Sequence, residues 1–315
     1  MSEFQAVFGA VVPVFVIIGA GFVLRRLSWL SAEADQSLLR LTINLLLPCL
    51  ILDAALGNPA LARWGNLLLA PLVGAGTFGL GLLAAHWASP LAGLTETRAR
   101  RTFTVAVGLY NYGFVPIPLA LLLFGEETVG VLFVHNMGVE LALWTVGVMV
   151  MMGRRAGVGL RRVINAPLIS MLLALGLNFF TRKAQIPQVL LTTLHILAQC
   201  AIPLSLLLAG ATIDDHLEEF HSRPAWRVIG VASLLRLLLL PAAFLLLARY
   251  LPATRDLKQV MVLQAAMPSA VFPIVLAKHY GGDPPTALRV VLGTSILGLL
   301  TIPFWIRLGL GWTGL

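Results

Sequence analysis

Long apolar runs alternate with short polar connections along the whole chain. Ten runs can be drawn, at about 5–24, 37–56, 66–88, 103–124, 128–152, 166–181, 188–212, 226–249, 258–278 and 286–310. Each is near the ~20 residues that a helix needs to cross the hydrocarbon of a bilayer, and the run at 166–181 is the shortest. The pattern predicts an all-α integral membrane protein of ten transmembrane helices. The longest connections carry charge, TETRARR at 95–101, GRRAGVGLRR at 153–162 and DDHLEEFHSR at 214–223. The first run has Arg25 and Arg26 after it and no basic residue before it, so it reads as a span rather than a cleaved leader.

Lysine and arginine set the expected orientation, because they concentrate in cytoplasmic connections. With the N-terminus outside, the inside connections hold Arg25, Arg26, Arg40, Arg98, Arg100, Arg101, Arg154, Arg155, Arg161, Arg162, Arg223, Arg227, Lys278 and Arg289. The outside set is half that size: Arg63, Arg182, Lys183, Arg249, Arg255, Lys258 and Arg307. The bias predicts both termini on the non-cytoplasmic side; the membrane itself is expected to be a bacterial inner membrane.

The runs also repeat. Asn44 and Pro48 in the second run match Gln199 and Pro203 in the seventh at an offset of 155, which also relates Gly21 to Gly176 and Pro118 to Pro273. The repeat covers five runs, an odd number, so its second copy crosses the membrane inverted. Inverted repeats are a hallmark of secondary transporters. The chain thus divides into a first five-helix repeat at 1–152, a basic cytoplasmic connection at 153–165 and a second, inverted repeat at 166–315.

Two runs are unlike the rest. The fourth, GLYNYGFVPIPLALLLFG at 108–125, holds Asn111, Tyr112, Gly113, Pro116 and Pro118 at its centre. The ninth, VLQAAMPSAVFPIVLAKHYG, holds Gln264, Met267, Pro268, Ser269 and Pro273. An interior proline costs a helix ~3 kcal/mol, and backbone groups freed in a membrane persist only where protein or a wet cavity meets them. Helices 4 and 9 are therefore expected to be broken and to cross near the midplane. Their half-helix ends would form a substrate site, with N–H groups that favour an anion. Asn111, Tyr112, Gln264 and Ser269 would add side chains to it. Pro118 and Pro273 are expected as helix breakers.

Composition narrows the class. Of 315 residues, 58% are hydrophobic and 11% charged, with a mean hydropathy of +0.90. A net charge of +8 would suit nucleic acid in a soluble chain; here it reads as membrane anchoring, and no nucleic-acid partner is expected. Cys49 and Cys200 lie in apolar runs without metal-ligand spacing, so no metal or cofactor is expected.

At these motifs the chain resembles the auxin efflux carrier family, which includes the plant PIN-type exporters and bacterial dicarboxylate carriers. QAAMPSAVFPIVLAKHY at 264–280 is similar to the family's ninth helix, LLRLLLLPAAF at 234–244 to the eighth, INAPLISMLLALGL at 164–177 to the sixth and LLLPCLIL at 45–52 to the second. The resemblance implies a scaffold domain of helices 1, 2, 6 and 7, a transport domain of helices 3–5 and 8–10, elevator-like movement and a homodimer. Segment three lacks the acid and lysine carried there by the plant exporters, which argues against auxin itself as substrate.

Charges inside spans are costly and usually functional. Glu140 and Arg236 fall near the middle of the fifth and eighth runs and are expected either to pair with each other or to serve anion attraction and proton uptake. His135 is a further titratable candidate beside Asn136. Asn44 and Gln199, each one turn before a helix proline, would either bond carbonyls freed by proline or face the substrate. The leading function is a secondary transporter of a small organic anion, with a proton or sodium as the coupling ion, or neither. The alternatives are a sodium-coupled symporter of the bile-acid transporter type, a channel, a receptor or an intramembrane enzyme. HNMGVE at 135–140 is no HExxH motif, and no catalytic residue is assigned.

Overall fold

The computed structural model describes residues 3–153, 164–180, 183–222 and 226–315. Arg154, Arg155, Arg161, Arg162, Arg182, Arg223 and most of the 153–165 connection lie outside the described residues. Among those described the architecture is all-helical, with a single isolated β-bridge and no strand. Among the described residues seven helices are long and apolar enough to cross a membrane: Val7–Arg26, Glu33–Ala55, Trp64–Ala88, Glu126–Met152, Gln188–Asp215, Trp226–Tyr250 and Pro284–Thr313. Ala166–Phe180 is a shorter apolar helix.

In chain order the α-helices are α1 (Glu3–Arg26), α2 (Ala32–Leu41), α3 (Leu47–Ala55), α4 (Trp64–Ala88), α5 (Thr97–Gly108), α6 (Pro116–Phe124), α7 (Glu126–Ala142), α8 (Val148–Met152), α9 (Ala166–Phe180), α10 (Gln188–Ser222), α11 (Trp226–Leu234), α12 (Leu240–Tyr250), α13 (Arg255–Ala266), α14 (Phe272–Tyr280) and α15 (Pro284–Thr313). Three of the long helices carry one π-helical turn each, at Thr42–Leu46, Leu143–Gly147 and Leu235–Leu239.

The third π-turn shows how proline is accommodated. Pro241 has no N–H to give the carbonyl of Leu237, and the Trp305 indole donates to that carbonyl instead, at 2.6 Å. At the second run the outcome differs from the expectation. The Asn44 amide bonds the Arg40 carbonyl, at 2.9 Å, rather than the carbonyl that Pro48 leaves free.

Close helix approach rests on glycine, as it does where helices pack without a hydrophobic drive. A methyl group on Gly21 would overlap the Leu207 backbone, and one on Gly210 the Ile18 carbonyl, so α1 and α10 meet backbone to backbone. Gly74 and Gly138 do the same for α4 and α7, against His135 and Pro71. Gly176, matched to Gly21 by the repeat, meets nothing within 4 Å, so that pair shares sequence position without sharing a contact.

Each end of the bundle is tied by polar contacts. At one end Arg25 pairs with Asp35 and with Asp215 (3.0 Å), and Arg26 with Asp214 (2.5 Å). At the other Arg63 pairs with Asp256 (3.2 Å), and Gly57 N–H donates to Asn178 Oδ1 (2.7 Å). Exposed aromatics mark both ends: Trp29, Trp87 and Trp226 at the first, Trp64, Tyr250 and Trp312 at the second. Between them the outer surface is apolar, with Leu72, Leu83, Phe180 and Leu300 more than half exposed. An apolar belt flanked by aromatic residues is the surface that a bilayer solvates.

Candidate functional site

Helix α5 stops at Gly108 and α6 begins at Pro116; α13 stops at Ala266 and α14 begins at Phe272. The two non-helical stretches lie against each other as a short antiparallel pair. Asn111 N–H donates to the Pro268 carbonyl (2.8 Å), Ala270 N–H donates to the Leu109 carbonyl (2.9 Å), and Tyr110 bridges Ser269. The backbone groups that helix would have used are thus paired across the crossing.

The prolines act differently from the expectation. Pro116 and Pro273 stand in the first turn of α6 and α14, where a missing N–H costs nothing because that position has no intrahelical partner. Pro118 is likewise inside α6, as its third residue. They open the second helices rather than break continuous ones. Gly125, at φ +87°, then reverses the chain between α6 and α7.

Side chains fix the crossing from behind. Asn136 Nδ2 donates to the Tyr112 carbonyl (2.7 Å), and Gln264 Nε2 donates to Asn136 Oδ1 (3.3 Å). Ser269 N–H donates to Thr294 Oγ1 (3.2 Å). Tyr110, fully buried, shares a hydrogen bond with Thr77 through its hydroxyl (2.8 Å).

In front of the crossing lies a cavity of about 410 Å³. Its walls include Asn111, Tyr112, Gly113, Phe114, Ile117 and Pro118 from the first interruption and α6, and Ala270, Val271 and Phe272 from the second. Glu140 and Trp144 face it from α7 and the following π-turn, Asn165 and Pro167 from the start of α9, Leu47 and Leu50 from α3, and Ala201, Ile202 and Ser205 from α10. A smaller cavity of about 110 Å³ adjoins it and shares Tyr112, Gly113, Glu140 and Asn165.

Among the described residues Glu140 is held by three donors. Tyr112 Oη donates to Oε1 (3.1 Å), and Asn165 Nδ2 (2.9 Å) and Trp144 Nε1 (3.2 Å) donate to Oε2. The Trp144 ring also packs edge-on against Phe272, with centroids 5.7 Å apart.

Of the residues singled out by sequence, Asn111, Tyr112, Gly113, Pro118 and Glu140 come together at the cavity wall. Pro116, Gln264, Pro268 and Ser269 are buried behind it. Asn44 and Gln199 do not belong to it. Both are exposed on the outside of their helices, and Gln199 is spent on His195 (2.9 Å), which in turn bonds Asp53 (2.9 Å). Glu140 and Arg236 do not pair. Arg236 is fully buried, its nitrogens have no hydrogen-bond partner among the described residues, and its guanidinium lies 5.1 Å from the ring centres of both Tyr110 and Phe244. His135 is buried beside Tyr110, behind the cavity (ring centroids 6.3 Å apart).

Asn165, Trp144 and Phe272 are site residues that sequence reasoning did not single out. Trp144 stands four residues after Glu140, hence on the same helix face, and that spacing was a usable signal.

Seven membrane-length helices among the described residues mark an integral membrane protein. Residues 6–306 match the family described as membrane transport protein, and the chain belongs to that family, the auxin efflux carriers. An uncharacterized transporter of Methanothermobacter thermautotrophicus is 29% identical over 94% of this chain and 96% of its own length. One from Methanocaldococcus jannaschii is 29% identical over 62% of this chain and 64% of its own length. The uncharacterized transporter YfdV of Escherichia coli K12 is 28% identical over 46% of this chain and 42% of its own length.

Proposed function

We propose that this protein is a secondary transporter that carries a small organic anion, a carboxylate, across the membrane by elevator-type alternating access. The observation that carries the reading is that the N-terminal ends of α6 and α14 border one cavity. A helix N-terminus carries a partial positive charge; Pro116, Pro118 and Pro273 have no N–H here, and the Ile117 and Ile274 N–H groups bond the Gly113 and Val271 carbonyls, so it is the positive ends of the two helix dipoles, facing one space, that favour an anion there. About 410 Å³ suits a small organic acid, and the apolar walls around Trp144 and Phe272 suit its hydrocarbon part.

In this reading α5 with α6, and α13 with α14, each form one broken span, and α9 is the sixth. The architecture is then ten spans in two inverted five-helix repeats. The scaffold consists of α1, α2–α3, α9 and α10, and the remaining helices move. The cavity supports this division, because Leu47, Asn165 and Ala201 line it from the scaffold side and Asn111, Glu140 and Phe272 from the other. A homodimer in a bacterial inner membrane with both termini non-cytoplasmic completes the picture. A sodium-coupled cycle of the bile-acid type would need a cluster of oxygen ligands; among the described residues Glu140 is the single carboxylate at the cavity wall, which favours a proton or no coupling ion.

Thermal stabilisation of the purified protein against organic acids and amines tests the reading. Stabilisation by an acid that is lost in Asn111→Ala supports it; stabilisation by amines alone overturns the anion assignment.

A further inference from the structure

Glu140 and Arg236 are the charged side chains that the sequence places in the interior of spans, and the structure holds them apart in different settings. Glu140 faces the cavity with donors from Tyr112, Asn165 and Trp144 and, among the described residues, no cation. Arg236 is fully buried between the faces of Tyr110 and Phe244, and no carboxylate pairs with it among the described residues. Tyr110 immediately precedes Asn111, so the cation sits one residue behind the backbone that lines the cavity.

Charge in a low-dielectric interior is expensive unless it is balanced. With Glu140 ionised, these two residues sum to zero. A monoanion entering the cavity would leave a net negative charge and would face a carboxylate in the same space. A proton on Glu140 removes both costs, and the sum returns to zero. The geometry accommodates that proton. On Oε1 it is donated to Tyr112 Oη, since a hydroxyl both accepts and donates, while Oε2 keeps the Asn165 and Trp144 bonds.

Resting on the anion reading above, we infer that the protein carries a monovalent organic anion and one proton together, as an electroneutral pair, with Glu140 as the proton site and Arg236 as the fixed countercharge. The proton comes from the aqueous side to which the cavity opens, and it leaves with the anion on the other, restoring the carboxylate. Tyr112 is the titratable group in contact with Glu140. His135 lies more than a turn away on α7 and turns toward Tyr110. The walls from α3, α9, α10 and α14 bring no ionisable side chain to the cavity among the described residues.

The test is isothermal calorimetry on the purified full chain in detergent, in two buffers of different ionisation enthalpy. Benzoate is one ligand; benzenesulfonate, which stays ionised, is the other, so any proton taken up with it lands on the protein. The expected result at pH 7.5 is about one proton taken up per anion bound, with affinity that tightens toward tenfold for each unit of falling pH. Glu140→Gln is expected to bind both anions without proton uptake and without pH dependence. In proteoliposomes benzenesulfonate transport by the wild type is expected to carry no current, and by Glu140→Gln to carry one. Anion binding to the wild type without proton uptake overturns the inference and leaves the anion reading standing, whether or not the variant folds. Proton uptake that persists in a folded Glu140→Gln overturns it equally. Failure of both anions to bind at any pH, with an amine binding instead, overturns the anion reading and the inference together.

Discussion

The guanidinium of Arg236 lies over the Tyr110 ring at 5.1 Å, and no carboxylate balances it among the described residues. A desolvated cation over aromatic faces recovers ~2 kcal/mol, less than the several kcal/mol that burying an ion costs. Arg236 is thus a poor device for stability. Arg236→Met, similar in reach and apolar, is expected to melt no lower than the wild type. Its affinity for an anionic ligand is expected to fall at least about tenfold, the ~1.4 kcal/mol that a modest loss of electrostatic attraction gives. Differential scanning fluorimetry and calorimetry on the same preparation check both halves.

Asn165 has two tasks, since its Oδ1 accepts from Leu168 N–H (2.9 Å) at the start of α9 while its Nδ2 donates to Glu140 (2.9 Å). Asn165→Ala loses a helix cap and a charge-assisted bond, and a destabilisation of ~1–3 kcal/mol is expected. Asn165→Asp sets a second carboxylate against Glu140. Like charges at this separation cannot both ionise cheaply, so that variant is expected to melt higher at pH 5.5 than at pH 7.5. A thermal melt at the two pH values measures the difference.

Asn111 and Asn44 separate the cavity from the outer surface. Asn111 lines the cavity; Asn44 is exposed and bonds the Arg40 carbonyl of its own helix. Asn44→Ala is expected to change stability by less than ~0.5 kcal/mol and ligand binding not at all, whereas Asn111→Ala weakens binding. Ligand-induced shifts in melting temperature compare them directly.

Gly74 and Gly76 stand on one helix with opposite tolerance. A methyl group at Gly74 would run into the His135 carbonyl of α7, and one at Gly76 would meet nothing within 4 Å. Gly74→Ala is expected to cost ~1–3 kcal/mol through forced helix separation. Gly76→Ala is expected to be neutral or to stabilise by ~0.5–1 kcal/mol, because alanine is the better helix former. Thermal unfolding in detergent reads both.

Hydropathy alone was sufficient for the helical membrane class, because spanning a bilayer demands about 20 apolar residues whatever they pack against. The clusters around Asn111 and Pro268 were legible as helix interruptions, because proline and glycine act locally on their own backbone. Glu140 stood out because a carboxylate in an apolar run is rare. What sequence could not supply was the direction in which each polar side chain points. Asn44 and Gln199, matched to each other by the repeat, looked like site candidates beside Asn111 because each is a polar amide in an apolar run, yet both are exposed. Glu140 and Arg236 looked like partners because opposite charges in apolar surroundings attract. The fold instead gave Glu140 three hydrogen-bond donors and Arg236 two aromatic faces. Which residues share a face is set by helix packing between segments far apart in the chain, and only the tertiary structure decides that. Asn165, Trp144 and Phe272 join the site for the same reason: three elements separated in sequence converge on one cavity.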